Sequence, residues 1–214
     1  NSIMYKCRFM LFALLAAIIS LFAFSQFFGI RLMELDAVSA ILSHTKIDLS
    51  GLIGVLSKPM DTYILSVSAT YRPMQTFIWW ATLAFAGLNF TAFHAINFIF
   101  HAVNTFLVFL VARKFIKDNS GLFSFLTALL FGLHPFHVQI VNFVSRLPEL
   151  LVLFSILSSL LLLMKFLENG SKKLFALSVA TCAFGVFSKG VGNLIPFVLF
   201  FYVFSFSKIP DFKK

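Results

Sequence analysis

The chain has 214 residues, of which 60% are hydrophobic, 17% aromatic and only 12% charged. Soluble domains contain about 45–50% apolar and about 25% charged residues. A mean hydropathy of +0.96 therefore excludes a soluble enzyme, a disordered tail and a nucleic-acid-binding domain. The net charge of +9 does not change this, because the basic residues punctuate apolar runs. Cys7 and Cys182 lie in different apolar segments and predict neither a disulfide framework nor a metal site.

Apolar runs predict an all-α integral membrane protein, with residues 1–214 forming a single polytopic domain of about six transmembrane helices. One crossing needs about 20 apolar residues. The first run, 22 uncharged residues between Arg8 and Arg31, is interpreted as an anchor rather than a cleaved signal peptide. The other predicted spans are residues 91–112, 120–141, 147–166, 173–188 and 191–207, and the span 120–141 is expected to end near Pro135.

The segment between the first two spans, about residues 30–90, is the predicted outer loop and carries interfacial helices. Residues 48–57 predict a short amphipathic helix that begins with an Asp cap. Residues 74–86 are too short to cross and contain Trp79-Trp80, which favour the membrane interface. The break at Gly87-Leu88-Asn89 separates them from the second span.

The distribution of basic residues tests this topology. With both termini in the cytoplasm, six spans place eleven of the 17 basic residues and three of the eight acidic residues inside. Six bases and five acids then lie outside, as the positive-inside rule requires. A further span within residues 73–112 would break this parity and move Arg113-Lys114 outside.

Three cations are predicted at the outer ends of spans, namely Arg72, Arg146 and Lys189. A ring of such side chains suits a phosphate or pyrophosphate at the membrane surface, because Arg offers a bidentate fork and Lys a point charge. The alternative is that they extend to lipid headgroups.

Three acids also lie on this outer face. Glu34 and Asp36 follow the first span, and such a carboxylate can act as a general base towards an acceptor hydroxyl; the alternative is a solvated acid or a helix cap. Glu149 follows Pro148 at the start of the fourth span, which is typical of a helix N-terminus, and it is also spaced to pair with Arg146.

Four polar residues of the second span share one helical face at spacings of 3, 7 and 10: His94, Asn97, His101 and Asn104. Because polar groups are costly inside a membrane, this face is predicted to meet protein or water. It forms either a cavity wall or a set of interhelical hydrogen bonds. The nearby His134 and His137 lack carboxylates at fixed spacing, so we expect no metal site and no cofactor.

Several short sequence motifs follow one another in a characteristic order. They are Tyr71-Arg72-Pro73, Gly87-Leu88-Asn89, Phe93-His94-Ala95-Ile96-Asn97, His101-Ala102-Val103-Asn104-Thr105, His134-Pro135-Phe136-His137-Val138, Val144-Ser145-Arg146-Leu147-Pro148-Glu149-Leu150-Leu151 and Ser188-Lys189 before Pro196. Over roughly residues 30–200 this order resembles the membrane region of the transmembrane-and-tetratricopeptide-repeat O-mannosyltransferases and their bacterial relatives. Those proteins belong to the C-type glycosyltransferase superfamily.

The resemblance implies an inverting transferase that uses a polyprenyl-phosphate sugar at the lumenal or periplasmic face. Asp36 is then the base, with Glu34 beside it, and Arg72, Arg146 and Lys189 surround the lipid phosphate. His134 and His137 lie near this phosphate. From the residue pattern itself, His94, Asn97, His101 and Glu149 are the further candidates to line the cavity. The chain departs from the family in three ways: its acids are separated by Leu35, Gly190 follows Lys189, and the repeat domain is missing.

Two functions follow from this resemblance. The first is a glycosyltransferase that moves the sugar to a protein or lipid hydroxyl, with polyprenyl phosphate and membrane lipids as partners and no nucleic acid. The second is a shortened, non-catalytic subunit that acts as a scaffold with other membrane protein subunits. A transporter fits less well, because charged residues avoid the span centres. The missing repeat domain favours a bacterial inner membrane.

Overall fold

The computed structural model describes residues 2–25, 41, 49–57, 71–116 and 119–206, and all regular secondary structure within them is helical. These ranges contain no β-strand. The helices are α1 (Ser2–Phe24), α2 (Leu49–Ser57), α3 (Pro73–Ala86), α4 (Phe90–Phe115), α5 (Leu122–Gly132), α6 (His137–Asn142), α7 (Leu147–Asn169), α8 (Lys172–Val186) and α9 (Ile195–Phe206).

Three segments of the described chain are long and apolar enough to cross a membrane: Cys7–Phe24, Phe90–Phe115 and Val144–Asn169. Leu122–Gly132 and Gly190–Phe206 are apolar but shorter. The prediction of an all-helical integral membrane protein is therefore confirmed. The total of six spans and the single polytopic domain stay predictions.

Glycine, asparagine and proline set the helix boundaries around α4 and α5. Gly87 ends α3 with a φ of 61°, and the side chain of Asn89 begins α4 by accepting a hydrogen bond from the backbone N–H of Thr91 at 3.1 Å. The predicted break between residues 74–86 and the second span is thus confirmed. The predicted third span, 120–141, is interrupted after Gly132, because the ring of Pro135 cannot continue the helical hydrogen bonds.

Helix α4 lies at the centre of the bundle, between α1, α5 and α7. On its inner side Phe109 is fully buried against Ala13, Ala16 and Ala128, small residues that let helices approach closely. At its other end Phe93 belongs to a second cluster, whose members are Ile41, Trp79, Leu83, Phe93, Val144, Leu147 and Leu151. This second cluster supports the turn that leads into α7.

Charged side chains gather at the two ends of α7. Glu149, in its first turn, meets Lys189, and Glu168, in its last turn, meets Lys114. The two acids are 19 residues apart, which is about 29 Å along an α-helix and close to the roughly 30 Å thickness of a bilayer core. The charge separation therefore has the dimension that a membrane-spanning α7 requires.

Candidate functional site

The candidate site lies where α7 begins. A 3₁₀ turn of Val144–Arg146 leads directly into the helix, and Pro148 and Glu149 occupy its first turn. Proline fits this position because the N–H that it lacks has no partner inside the helix, and an acid there interacts favourably with the helix dipole. The sequence thus fixes Arg146 and Glu149 at the same end of the helix.

One carboxylate oxygen of Glu149 holds two of the three predicted phosphate-binding cations. Its Oε1 accepts a hydrogen bond from Lys189 Nζ at 2.7 Å and another from Arg146 Nη1 at 3.2 Å. The side chains of Glu149 and Lys189 are only 25% and 26% exposed, whereas that of Arg146 is 56% exposed. The other oxygen, Oε2, is buried and has no hydrogen-bond partner among the described residues. Both cations therefore contact one oxygen of a carboxylate whose other oxygen is unpaired among the described residues.

Two glycines bring Lys189 to this point. Lys189 lies between α8 and a 3₁₀ segment, Gly190–Leu194, and its carbonyl accepts a hydrogen bond from the backbone N–H of Gly192 at 2.7 Å. A Cβ on Gly192 would overlap the backbone of Gly185 in α8, and a Cβ on Gly185 would overlap Ser155 of α7. Only residues without a Cβ allow this close approach.

The third predicted cation, Arg72, is next to this segment. The backbone N–H of Met74 donates a hydrogen bond to the carbonyl of Phe187 at 3.3 Å, which joins the start of α3 to the end of α8. The carbonyl of Arg72 accepts hydrogen bonds from Thr76, but the Arg72 guanidinium forms no hydrogen bond or ion pair with the described residues. Its positive charge is therefore not neutralised by a direct partner in the described chain.

The polar face of α4 ties the bundle together. Asn97 donates from Nδ2 to the carbonyl of Phe143 at 2.7 Å, and Asn104 donates to that of Leu150 at 3.0 Å. His101 Nε2 is 3.0 Å from the carbonyl of Gly132. His94 is buried one turn before Asn97. These bonds correspond to the interhelical alternative, and they anchor the segment from Gly132 to Leu150 that carries Arg146.

Three histidines form a separate group. The ring centroid of His137 is 5.0 Å from that of His101 and 5.9 Å from that of His134, and Phe24 and Phe131 pack beside them. His137 lies outside the three span-length helices, and burial lowers the pKa of its imidazole. No set of three His, Cys, Asp or Glu side chains within the described ranges is arranged to hold a metal ion.

The predicted acids Glu34 and Asp36 lie outside the described residues. The nearest described residue that follows them is Ile41, which is buried against Trp79 and Leu147 in the second hydrophobic cluster. The chain thus returns, five positions after Asp36, to the cluster that supports Arg146 and Glu149.

Sequence reasoning missed one buried amide in the first turn of α3. Gln75 is 1% exposed, and neither its Oε1 nor its Nε2 has a hydrogen-bond partner among the described residues. Its position next to Met74 places it near the junction of α3 and α8. The available signal was its spacing of three from Arg72, at the start of a helix that contains no charged residue.

An apolar groove of about 360 Å³ runs between α7, α8 and α9. Its walls include Leu163, Phe175, Cys182, Pro196 and Phe200. Leu163 is 14 residues beyond Glu149, which is about 21 Å along α7 and therefore at membrane depth if α7 spans the bilayer. The mostly apolar lining of the groove suits a hydrocarbon chain.

Comparison with known proteins identifies similar sequences. The chain is 28% identical to protein O-mannosyl-transferase TMTC1 of Homo sapiens over 154 residues, 66% of this chain and 17% of that protein. It is 33% identical to protein O-mannosyl-transferase TMTC3 of Homo sapiens over 104 residues, 49% of this chain and 10% of that protein. A Caenorhabditis elegans protein O-mannosyl-transferase is 30% identical over 114 residues, which cover 52% of this chain and 16% of that protein.

The resemblance predicted from the motifs is thus confirmed at the level of sequence. The chain spans about a tenth to a sixth of the length of these curated relatives. No protein-family model and no solved structure matches it.

Proposed function

We propose that the chain is the membrane core of a glycosyltransferase that moves a sugar from a polyprenyl-phosphate donor to a protein hydroxyl. The observation that carries this proposal is the convergence of Lys189 and Arg146 on one oxygen at the start of α7. The backbone two residues after Arg72 is hydrogen-bonded to Phe187, two residues before Lys189. The similar protein O-mannosyl-transferases supply the class of reaction.

The cations bind and stabilise the phosphate of the donor. When the bond between the sugar carbon and the phosphate oxygen breaks, negative charge accumulates on the departing lipid phosphate. Lys189 and Arg146 are already oriented towards one point, so they stabilise this charge without reorganising. The apolar groove between α7, α8 and α9 accommodates part of the isoprenoid chain.

The base of the reaction is Asp36, assisted by Glu34. Its carboxylate takes the proton of the acceptor hydroxyl, whose oxygen attacks the sugar carbon from the side opposite the phosphate, so that the configuration inverts. Support comes from the sequence resemblance and from Ile41, which packs against the cluster beneath the cation site. The site is proposed to face the lumen or periplasm, because both termini are predicted to be cytoplasmic; a bacterial inner membrane remains the proposed location.

A transfer assay in proteoliposomes tests this proposal. Labelled polyprenyl-phosphate mannose and a Ser/Thr-rich peptide are incubated with the wild type, Asp36→Asn, Lys189→Met and two controls. We expect at least a 100-fold loss of transfer for Asp36→Asn, the lower range for removal of a general base. Asp48→Asn, elsewhere in the predicted outer loop, and Lys114→Met, at the other end of the bundle, are expected to retain transfer.

Opposite results would separate the two candidate functions. Retention of transfer by Asp36→Asn would remove Asp36 from the reaction. If the folded wild type neither transfers mannose nor binds polyprenyl phosphate, and co-purifies with other membrane proteins, the scaffold function applies instead.

A further inference from the structure

Glu149 occupies the place where the proposed donor phosphate has to bind. Its Oε1 is within hydrogen-bond distance of both Lys189 and Arg146. We infer that Glu149 is an internal counter-anion: it holds the two cations together before the donor binds, and the lipid phosphate then displaces it from them. The inference rests on the proposed function.

The geometry of the two cations suits either the Glu149 carboxylate or a phosphate. Lys189 and Arg146 both approach a single oxygen atom, at 2.7 and 3.2 Å, and do not bind the two oxygens of the carboxylate separately. Charge-assisted hydrogen bonds to a phosphate oxygen are about 2.7–2.9 Å long, which matches the Lys189 distance and is shorter than the Arg146 distance. A phosphate oxygen can therefore take the place of Oε1 without moving the two cations apart.

The carboxylate is also incompletely satisfied where it lies. Oε2 is buried without a partner among the described residues, so part of its lost hydration is not replaced by hydrogen bonds within that part of the chain. Glu168, at the other end of α7, differs in that its side chain is 54% exposed and pairs with a single cation, Lys114, among the described residues. Displacing Glu149 thus costs less than breaking a fully paired buried carboxylate.

The negative charge of Glu149 also affects how tightly the lipid phosphate binds. A lipid monophosphate, the product of transfer, carries about −1.5 to −2 at pH 7. Glu149 adds a further negative charge beside it and repels it. The carboxylate is therefore expected to weaken product binding, and its removal is expected to strengthen it.

The test measures binding of farnesyl phosphate, a short isoprenoid monophosphate, to the whole chain in phosphatidylcholine nanodiscs. We expect Glu149→Gln to bind it about tenfold more tightly than the wild type, corresponding to about 1.4 kcal/mol. Glu149→Asp keeps the charge and is expected to remain within about threefold of the wild type. Glu168→Gln is the matched control, because it removes a Lys-paired acid from the same helix and is expected to leave binding unchanged.

The possible outcomes distinguish this inference from the proposed function. If the wild type binds farnesyl phosphate and Glu149→Gln binds it equally or more weakly, the counter-anion role is wrong and the phosphate site stands. If the folded wild type does not bind it and Glu149→Gln does not either, both are wrong. Should Glu149→Gln fail to fold, Glu149→Ala removes the same charge and replaces it in the test. Tighter binding of farnesyl phosphate by Glu149→Ala than by the wild type would support the counter-anion role, and equal or weaker binding would refute it.

Discussion

Replacement of Gly192 by alanine tests how the fold positions Lys189. The added Cβ would lie 2.6 Å from the carbonyl carbon of Gly185 and 2.9 Å from the Cα of Val186, and it would meet the carbonyl oxygen of Gly185 even more closely. All three atoms belong to the backbone of α8, so no side-chain rotation relieves the overlap. The 3₁₀ segment Gly190–Leu194 has to move away from α8 and take Lys189 with it.

The loss of stability is expected to be large because the added Cβ overlaps backbone atoms, which cannot rotate away. Overpacking of a folded core costs about 1–3 kcal/mol, and rigid backbone neighbours place this substitution at about 3 kcal/mol. For a chain of this length 1 kcal/mol corresponds to roughly 2–4 °C in Tm, so we expect a loss of roughly 6–12 °C. We also expect weaker binding of farnesyl phosphate, because the displaced Lys189 no longer converges with Arg146.

Thermal unfolding in detergent, followed by size-exclusion chromatography of heated samples, measures the change. Gly190→Ala is the matched control: it adds the same methyl group two residues away, where nothing lies within 4 Å. We expect Gly190→Ala to unfold within about 2 °C of the wild type, since substitutions at open positions change stability by about 0.5 kcal/mol or less. Equal Tm values for the two variants would refute the close packing of α8 against the 3₁₀ segment.

Two further predictions concern the bundle. Phe93→Ala is expected to destabilise the protein by about 3–5 kcal/mol because it empties a site that is 2% exposed; Phe85→Ala, at a site 94% exposed, is expected to change unfolding by less than about 0.5 kcal/mol in the same thermal assay. Asn104→Ala removes the hydrogen bond to the carbonyl of Leu150. We expect it to cost about 0.6 kcal/mol, the average for such bonds inside membranes, and at most about 1.7 kcal/mol, measured by steric-trap unfolding in bicelles. If Asn104→Ala loses no stability, the polar face of α4 lines a cavity instead of forming interhelical hydrogen bonds.

The sequence predicted helices and their breaks where a single residue type decides them. The break at Gly87-Leu88-Asn89 was predictable because glycine ends a helix with positive φ and asparagine begins the next one. The interruption of the third predicted span at Pro135 follows from the same kind of local constraint. By contrast, the length of each helix inside a bilayer depends on packing, which hydropathy does not reveal.

The candidate site was only partly predictable for a related reason. The spacing of Arg146 and Glu149 along one helix start implies a contact, and the structure contains it. The contact between Lys189 and Glu149 joins residues 40 positions apart, and it depends on the approach of Gly192 to Gly185. The glycines around Lys189 permit that approach, but whether the 3₁₀ segment packs on α8, and α8 on Ser155 of α7, is decided by tertiary packing that the local pattern does not specify.

The two ends of α7 show why function is assigned to one of them. Both carry a Lys–Glu pair with similar separations, 2.7 Å for Lys189–Glu149 and 2.6 Å for Lys114–Glu168. Exposed pairs of the second kind contribute about 0–1 kcal/mol and are typical of any solvated helix end. At the first end a second cation shares the same oxygen, and the other oxygen is buried without a partner among the described residues. Two cations on one carboxylate oxygen, with the other oxygen unpaired among the described residues, are the features on which the proposed phosphate site is based.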